Sequence, residues 1–266
     1  MNSDPEKNKQ MERTPEQLQS DKLFKKICRK VGTTLRDHSM ISGGDRVLVG
    51  LSGGKDSMIL LKALQERNGA LPFDFTLEAA HVEATGIGYR IEREKLSVFC
   101  ADLGIPLHYR TIDPDLEKDP SKAACFVCSW HRRRELFNLT RELGFNKLAL
   151  GHHRNDAVET LLLNMIYHGS ISSLPYTLEM FGGRVRLIRP LMDLDERMLE
   201  DFARWNGLVN IEKSCPHEDR TRREDIRKII REVEALHGKG PVNMFRSMDK
   251  VFDEYLPRRN PKITVP

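Results

Sequence analysis

No apolar run in this sequence is long enough to cross a bilayer, and the N-terminus is polar and charged where a secretion signal needs an apolar segment. The expected address is therefore the cytoplasm, with no membrane partner. Cysteine is scarce and odd in number, five in 266 residues. That excludes a disulfide framework and leaves metal binding, redox chemistry or burial. Neither charge sign dominates: 43 Lys and Arg against 39 Asp and Glu give a formal charge of +4, which permits a nucleic-acid partner without requiring one. Repeats and long low-complexity stretches are absent too, so a solenoid or fibrous design is excluded. The chain is long enough for one substantial core and has the composition of an ordinary globular protein.

Residues 1–20 are almost devoid of apolar side chains and read as a mobile tail. An amphipathic helix is expected within 21–44, where Leu23, Phe24, Ile27, Val31 and Leu35 recur at helical spacing before Gly43 and Gly44. Over 45–212 short apolar stretches alternate with helical patterns: strands near 47–51, 75–82, 107–111 and 147–150, and helices near 56–65, 89–103, 129–143 and 156–167. Regular alternation predicts an α/β fold, a doubly wound and mainly parallel sheet whose ligands lie beyond the carboxyl ends of the strands. Gly182 and Gly183 predict an appended hairpin, a helix follows near 194–205, and 213–266 reads as a charged helical region.

The first strand runs directly into Ser52, Gly53, Gly54, Lys55, Asp56 and Ser57 and then into a helix. Glycines let the backbone turn N–H groups toward an anion, the helix start adds partial positive charge, the serines add donors, and Lys55 adds a full charge. This combination predicts a pyrophosphate cradle rather than a simple turn. The spacing is not that of a Walker A loop, which disfavours ordinary kinases and GTPases.

Cys125 and Cys128 form a Cys-x-x-Cys pair. From spacing alone they are cluster or metal ligands, a redox pair, half a zinc site, or two unrelated thiols. Cys215, in a polar loop beside Pro216, is the natural third ligand, whereas Cys28 and Cys100 fall on helices as packing residues. His152 and His153 open the loop after the strand near 147–150, placed either to contact a ligand or to cap the next helix; Asp156 follows, with access to a metal or as macrodipole compensation. Arg132, Arg133 and Arg134, and the later run from Arg220 to Lys228, read as contacts to RNA phosphates or as solvated helix faces. Phe126 and Trp130 would stack on a splayed base or pack on the core.

Ser52 to Ser57 resembles, without gaps, the loop of the PP-loop ATP pyrophosphatases, which split ATP between the α and β phosphates and adenylate a substrate oxygen. Within that group the chain is similar, over about residues 46–230, to the tRNA 2-thiocytidine synthetases. The carrying segments are the loop, 125–129 with its arginines, Gly151-His152-His153 with Asp156 and Thr160, and 187–191. The resemblance implies an ATP-dependent tRNA thiotransferase acting on C2 of an anticodon-loop cytidine, with ATP, Mg²⁺ and a 4Fe-4S cluster as cofactors. Cys125, Cys128 and Cys215 would hold the cluster, Asp56 the Mg²⁺, the loop with Gly151, His152 and His153 the ATP, and Lys55, Asp56 and Asp156 would be catalytic. Partners would be tRNA and a sulfur donor, either a cysteine desulfurase or sulfide, with a homodimer admitted. Asn155 replaces an Asp usual in close relatives, and 216–219 is less cysteine-rich than in well-known members. Rival readings are another PP-loop tRNA-modifying enzyme, thiolation of the 2-thiouridine type or through a persulfide, and a non-catalytic tRNA-binding protein with a degenerate nucleotide site.

Overall fold

The expected alternation closes into a six-stranded sheet in the computed structural model, which describes residues 14–86, 90–114, 124–208, 213–214 and 222–257. In chain order the elements are α1 (Pro15–Asp37), β1 (Arg46–Gly50), α2 (Lys55–Asn68), β2 (Thr76–Ala84), β3 (Arg90–Ile91), α3 (Arg93–Asp102), β4 (Leu107–Ile112), α4 (Ala124–Glu142), β5 (Lys147–Ala149) and α5 (Arg154–His168). They continue with β6 (Thr177–Met180), β7 (Val185–Ile188), α6 (Glu196–Trp205), β8 (Lys213–Ser214), α7 (Arg222–Leu236) and α8 (Gly240–Ser247).

The sheet order is β4-β2-β1-β5-β7-β6, and every pairing is parallel except β6–β7. Val47, Leu48 and Val49 of the central β1 are fully buried, as a strand covered by helices on both faces requires. The order reverses between β1 and β5, so the crevice for a ligand opens beyond the carboxyl ends of these two strands.

Two compact units emerge, Met1–Arg154 with Pro175–Asp219, and Asn155–Leu174 with Arg220–Pro266. The first holds the sheet. Its main core joins Ile27, Val31 and Leu35 of α1 to the buried faces of α2, β1 and α6. Asp193 also fastens α1, accepting from Thr34 Oγ1 and Tyr176 Oη at 2.7 Å each.

The second unit has its own core of Val158, Leu162, Ile226 and Ile230. Glu159, only 2% exposed, accepts from Arg227 at 2.7 Å and Arg223 at 3.3 Å. Arg222 lies 4.6 Å over Tyr167 and Lys228 pairs with Asp225 at 3.0 Å. Much of the basic run after Arg220 thus engages protein groups.

Several boundaries differ from the sequence reading. Part of the expected tail, residues 1–13, lies outside the described residues, but α1 already starts at Pro15, fixed by a reciprocal cap between Thr14 and Gln17. α4 begins at Ala124 instead of near 129, so the Cys-x-x-Cys pair sits on its first turns. β3 and β8 pair antiparallel as an unexpected two-stranded sheet.

Candidate functional site

β1 ends at Gly50 and the chain peels away at Leu51, where its N–H still donates to Ala80 O at 2.8 Å. Gly53 takes φ +81, a left-handed turn that a side chain would strain. Ser57 Oγ donates to Gly54 O at 2.9 Å and accepts from Ser52 N at 3.1 Å. Its single proton is thereby used, so in the 3.1 Å contact between the two hydroxyls Ser52 Oγ is the donor. Gly54 N–H closes the ring onto Ser52 Oγ at 3.2 Å. No side chain caps α2 at Gly54, which leaves the helix start to an anion.

Lys55 Nζ lies 3.3 Å from Asp56 and 3.6 Å from Glu196, at the start of α6. Burial pulls the Lys55 pKa down, but Asp56 and Glu196 outweigh it and hold the ammonium above its ordinary range. His153, almost wholly buried, brings Nε2 to 3.9 Å from Asp56 Oδ2. His152 Nδ1 accepts from Arg189 Nε at 3.3 Å, so the neutral ring carries its proton on Nε2. Gly151 joins the strand end to the loop: a Cβ there would stand 3.0 Å from Asp56 C and Ser57 N, both backbone. A side chain there would press the exit of β5 against the start of α2.

The end of β2 ties this loop to the cysteine helix. His81, fully buried, places Nδ1 2.7 Å from the Leu51 carbonyl, standing in for the strand pairing where β1 departs. One residue on, the Val82 carbonyl accepts from Arg132 Nε at 2.8 Å. Arg132 is one turn beyond Cys128, so this bond fixes the cysteine-bearing part of α4 against the sheet. Arg134 lies 4.8 Å over the Trp130 ring. Cys125 and Cys128 are half-buried, and Cys128 packs against the main core.

Of the residues singled out from the sequence, Ser52, Gly53, Gly54, Lys55, Asp56, Ser57, Gly151, His152 and His153 gather around the crevice between β1 and β5. Asp156 opens the second unit, where Arg223 lies 3.9 Å from its carboxylate. Cys215 lies outside the described residues, and among the described residues no three His, Cys, Asp or Glu group as a metal site. Cys28 and Cys100 are buried, and burial pushes each thiol up to about 11, as packing residues require. His81, Arg189 and Glu196 were not singled out individually as site residues, since one sits in a strand pattern, one at a hairpin end and one in a helix's first turn.

A family model described as a PP-loop domain matches residues 20–234. The tRNA-cytidine(32) 2-sulfurtransferase of Pelobacter propionicus is 34% identical over 251 residues, covering 91% of this chain and 92% of that protein. The protein of the same name from Polynucleobacter asymbioticus is 35% identical, covering 90% of this chain and 80% of its own. Among solved structures, the U34-tRNA thiolase NcsA from Methanococcus maripaludis, described with its [4Fe-4S] cluster, superposes with TM-score 0.71 at 24% identity, over 87% of this chain and 79% of that one. That likeness supports the fold.

Proposed function

Since the chain belongs to the PP-loop domain family and, within it, to the family of the tRNA-cytidine(32) 2-sulfurtransferases, we propose that it uses ATP to replace the C2 oxygen of a tRNA cytidine with sulfur. The observation that carries this reading is the double tie at the end of β2. His81 holds the exit into the phosphate loop and Val82 holds the cysteine helix, which supports a two-step reaction whose halves are set by one strand.

In the first step the loop N–H groups and Lys55 receive the phosphates of ATP. The C2 carbonyl oxygen of the base attacks the α phosphorus and pyrophosphate leaves, with Lys55 and the helix start stabilising the charge it takes away. Asp56, a carboxylate beside the phosphate cradle, fits one ligand of Mg²⁺, which supplies charge neutralisation when bound. His152 accepts from Arg189 at Nδ1, which leaves Nε2 as the ring's donor. Sulfur at the oxidation level of sulfide then adds to C2, the C–O bond breaks, AMP leaves, and no electron is gained or lost overall.

Cys125 and Cys128 stand three residues apart on the first turns of α4, a donor pair that fits an iron–sulfur cluster, with Cys215 as the third thiolate. When bound, a 4Fe-4S cluster held by three thiolates supplies an iron able to carry the sulfur to be transferred. The same proposal assigns Arg133 and Arg134 to RNA, and Asp156 a role as a catalytic carboxylate. Sulfide as donor, or a cysteine desulfurase whose persulfide sulfur a thiol reductant brings to the sulfide level with two electrons, belongs to the same proposal, as do a homodimer and a cytoplasmic location. No described helix is long and apolar enough to cross a membrane.

The test is tRNA-dependent release of pyrophosphate by anaerobically prepared protein, with mass spectrometry of the digested tRNA. A thiolated cytidine is expected. Pyrophosphate release without tRNA, or a thiolated uridine, would sink this reading. Full activity of a colourless, iron-free protein would remove the cluster and leave a persulfide route on the same cysteines.

A further inference from the structure

Two large aromatic side chains stand in the open beside the cysteine pair. Phe126 is 58% exposed and Trp130 48%, and four residues apart on α4 they share one helix face. The core contacts of α4 come instead from Val127, Phe137 and Leu139, so packing does not require these rings. An exposed pair of this size costs free energy in water and marks a surface that meets something.

The charge around the pair defines what it meets. Arg134 lies 4.8 Å over the Trp130 ring and His131 meets its edge at 4.9 Å. α4 carries no acidic residue before Glu135, which itself faces Arg110 at 3.9 Å. Flat apolar rings beside a guanidinium, on a stretch of helix without acidic side chains, complement an unstacked base joined to a phosphate, as in a single-stranded RNA loop. A duplex hides its base faces, so it offers the rings nothing.

Resting on the tRNA reading above, we propose that Phe126 and Trp130 form a stacking platform for an unpaired base of the anticodon loop, with Arg134 serving the adjoining phosphate. The platform lies on the same turns as Cys125 and Cys128, so a base stacked there is held next to the thiols.

The chain has two tryptophans, so Trp205→Phe leaves Trp130 as the sole emitter. Titration with an anticodon stem-loop RNA is expected to quench its emission saturably, and a fully paired duplex of equal length to quench it far less. Trp130→Ala and Phe126→Ala should each weaken stem-loop binding about 5- to 150-fold, the range of one stacked base, while Trp130→Phe retains most of the affinity. In the thiolation assay the KM for tRNA should rise with kcat kept, and ATP affinity and iron content should not move.

Absence of quenching, or wild-type affinity in both alanine variants, overturns the platform. Intact RNA affinity with lost uptake of sulfur from a cysteine desulfurase also overturns it, in favour of a protein-docking face. The two proposals fail separately. Quenching without tRNA-dependent pyrophosphate release keeps the platform and removes the thiolation, whereas pyrophosphate release with an indifferent Trp130→Ala does the reverse.

Discussion

Replacing His81 isolates what the end of β2 does for the phosphate loop. A carbonyl only accepts, so the 2.7 Å contact with Leu51 O places the proton on Nδ1 of a fully buried ring. Burial pushes the pKa of His81 from 6.5 down to about 4; the bond to Leu51 pulls the other way and loses, while Arg132 adds to the depression. Because the folded value lies below the unfolded one, the unfolded chain takes up the proton first as pH falls. The contribution of the neutral ring is therefore full above 6.5 and drains as pH drops toward 4. Between about pH 7.5 and about pH 5 the drain is about 2 kcal/mol.

His81→Leu removes both the titration and the donor to Leu51, costing about 1–3 kcal/mol near neutral pH, whereas His81→Asn keeps an N–H close to the position of Nδ1. Urea unfolding followed by tryptophan emission reads the right part of the molecule, since Trp130 and Trp205 share a unit with His81. Contributions common to both proteins cancel in the difference between them. The stability gap between wild type and His81→Leu is expected to shrink by about 2 kcal/mol from about pH 7.5 to about pH 5. ATP affinity should fall in His81→Leu and hold in His81→Asn. A gap independent of pH would refute the buried neutral ring, and equal ATP affinity in all three proteins would refute its hold on the loop.

Gly151→Ala sets a methyl 3.0 Å from the backbone of Asp56 and Ser57. The start of α2 must give way, so stability should drop by about 1–3 kcal/mol and ATP affinity about tenfold or more. Calorimetry of ATP binding checks this, and unchanged affinity removes the contact from the site. In the second unit the carboxylate of Glu159 is 3% exposed while its arginines are about half exposed. Arg227→Met should cost about 3 kcal/mol by stranding buried charge, and Glu159→Met about 1 kcal/mol or less, because the arginines can return to water. Thermal unfolding with limited proteolysis of α7 would decide, and equal losses would contradict the asymmetry. Glu196→Gln removes one of the carboxylates that raise Lys55, so the alkaline fall of pyrophosphate release should move to lower pH. An alkaline limb that stays in place means that Lys55 does not set it.

The phosphate loop was legible because its glycines, lysine and serines are local and follow an apolar strand. The hairpin was legible for the same reason, with Gly182 and Gly183 at φ +67 and +83. α1 starts earlier than its apolar pattern because its first turn is held by the polar cap of Thr14 and Gln17 rather than by an apolar stripe. α4 was read too short because Cys, Phe and Val at its start carry no capping signal. β3 and β8, two residues each, are below the length at which alternation has meaning. His81, Arg189 and Glu196 act through partners 30, 37 and 141 positions away, and proximity of that kind is a product of topology.

The fate of the arginines bears on how RNA would be chosen. Arg132 binds Val82 O, Arg223 and Arg227 bind Glu159, and Arg222 covers Tyr167, so much of the basic sequence that suggested a broad phosphate footprint is turned to internal use. With a formal charge of only +4, long-range attraction does little to separate one RNA from another. Phosphate contacts position a strand but carry no sequence, whereas an unstacked base held against aromatic rings is available only where the RNA is single-stranded. A thiolating enzyme must present one base edge to a fixed sulfur. For that task, a narrow aromatic surface on the helix bearing the cysteines, with that helix pinned to the strand that also sets the phosphate loop, contributes more than additional charge.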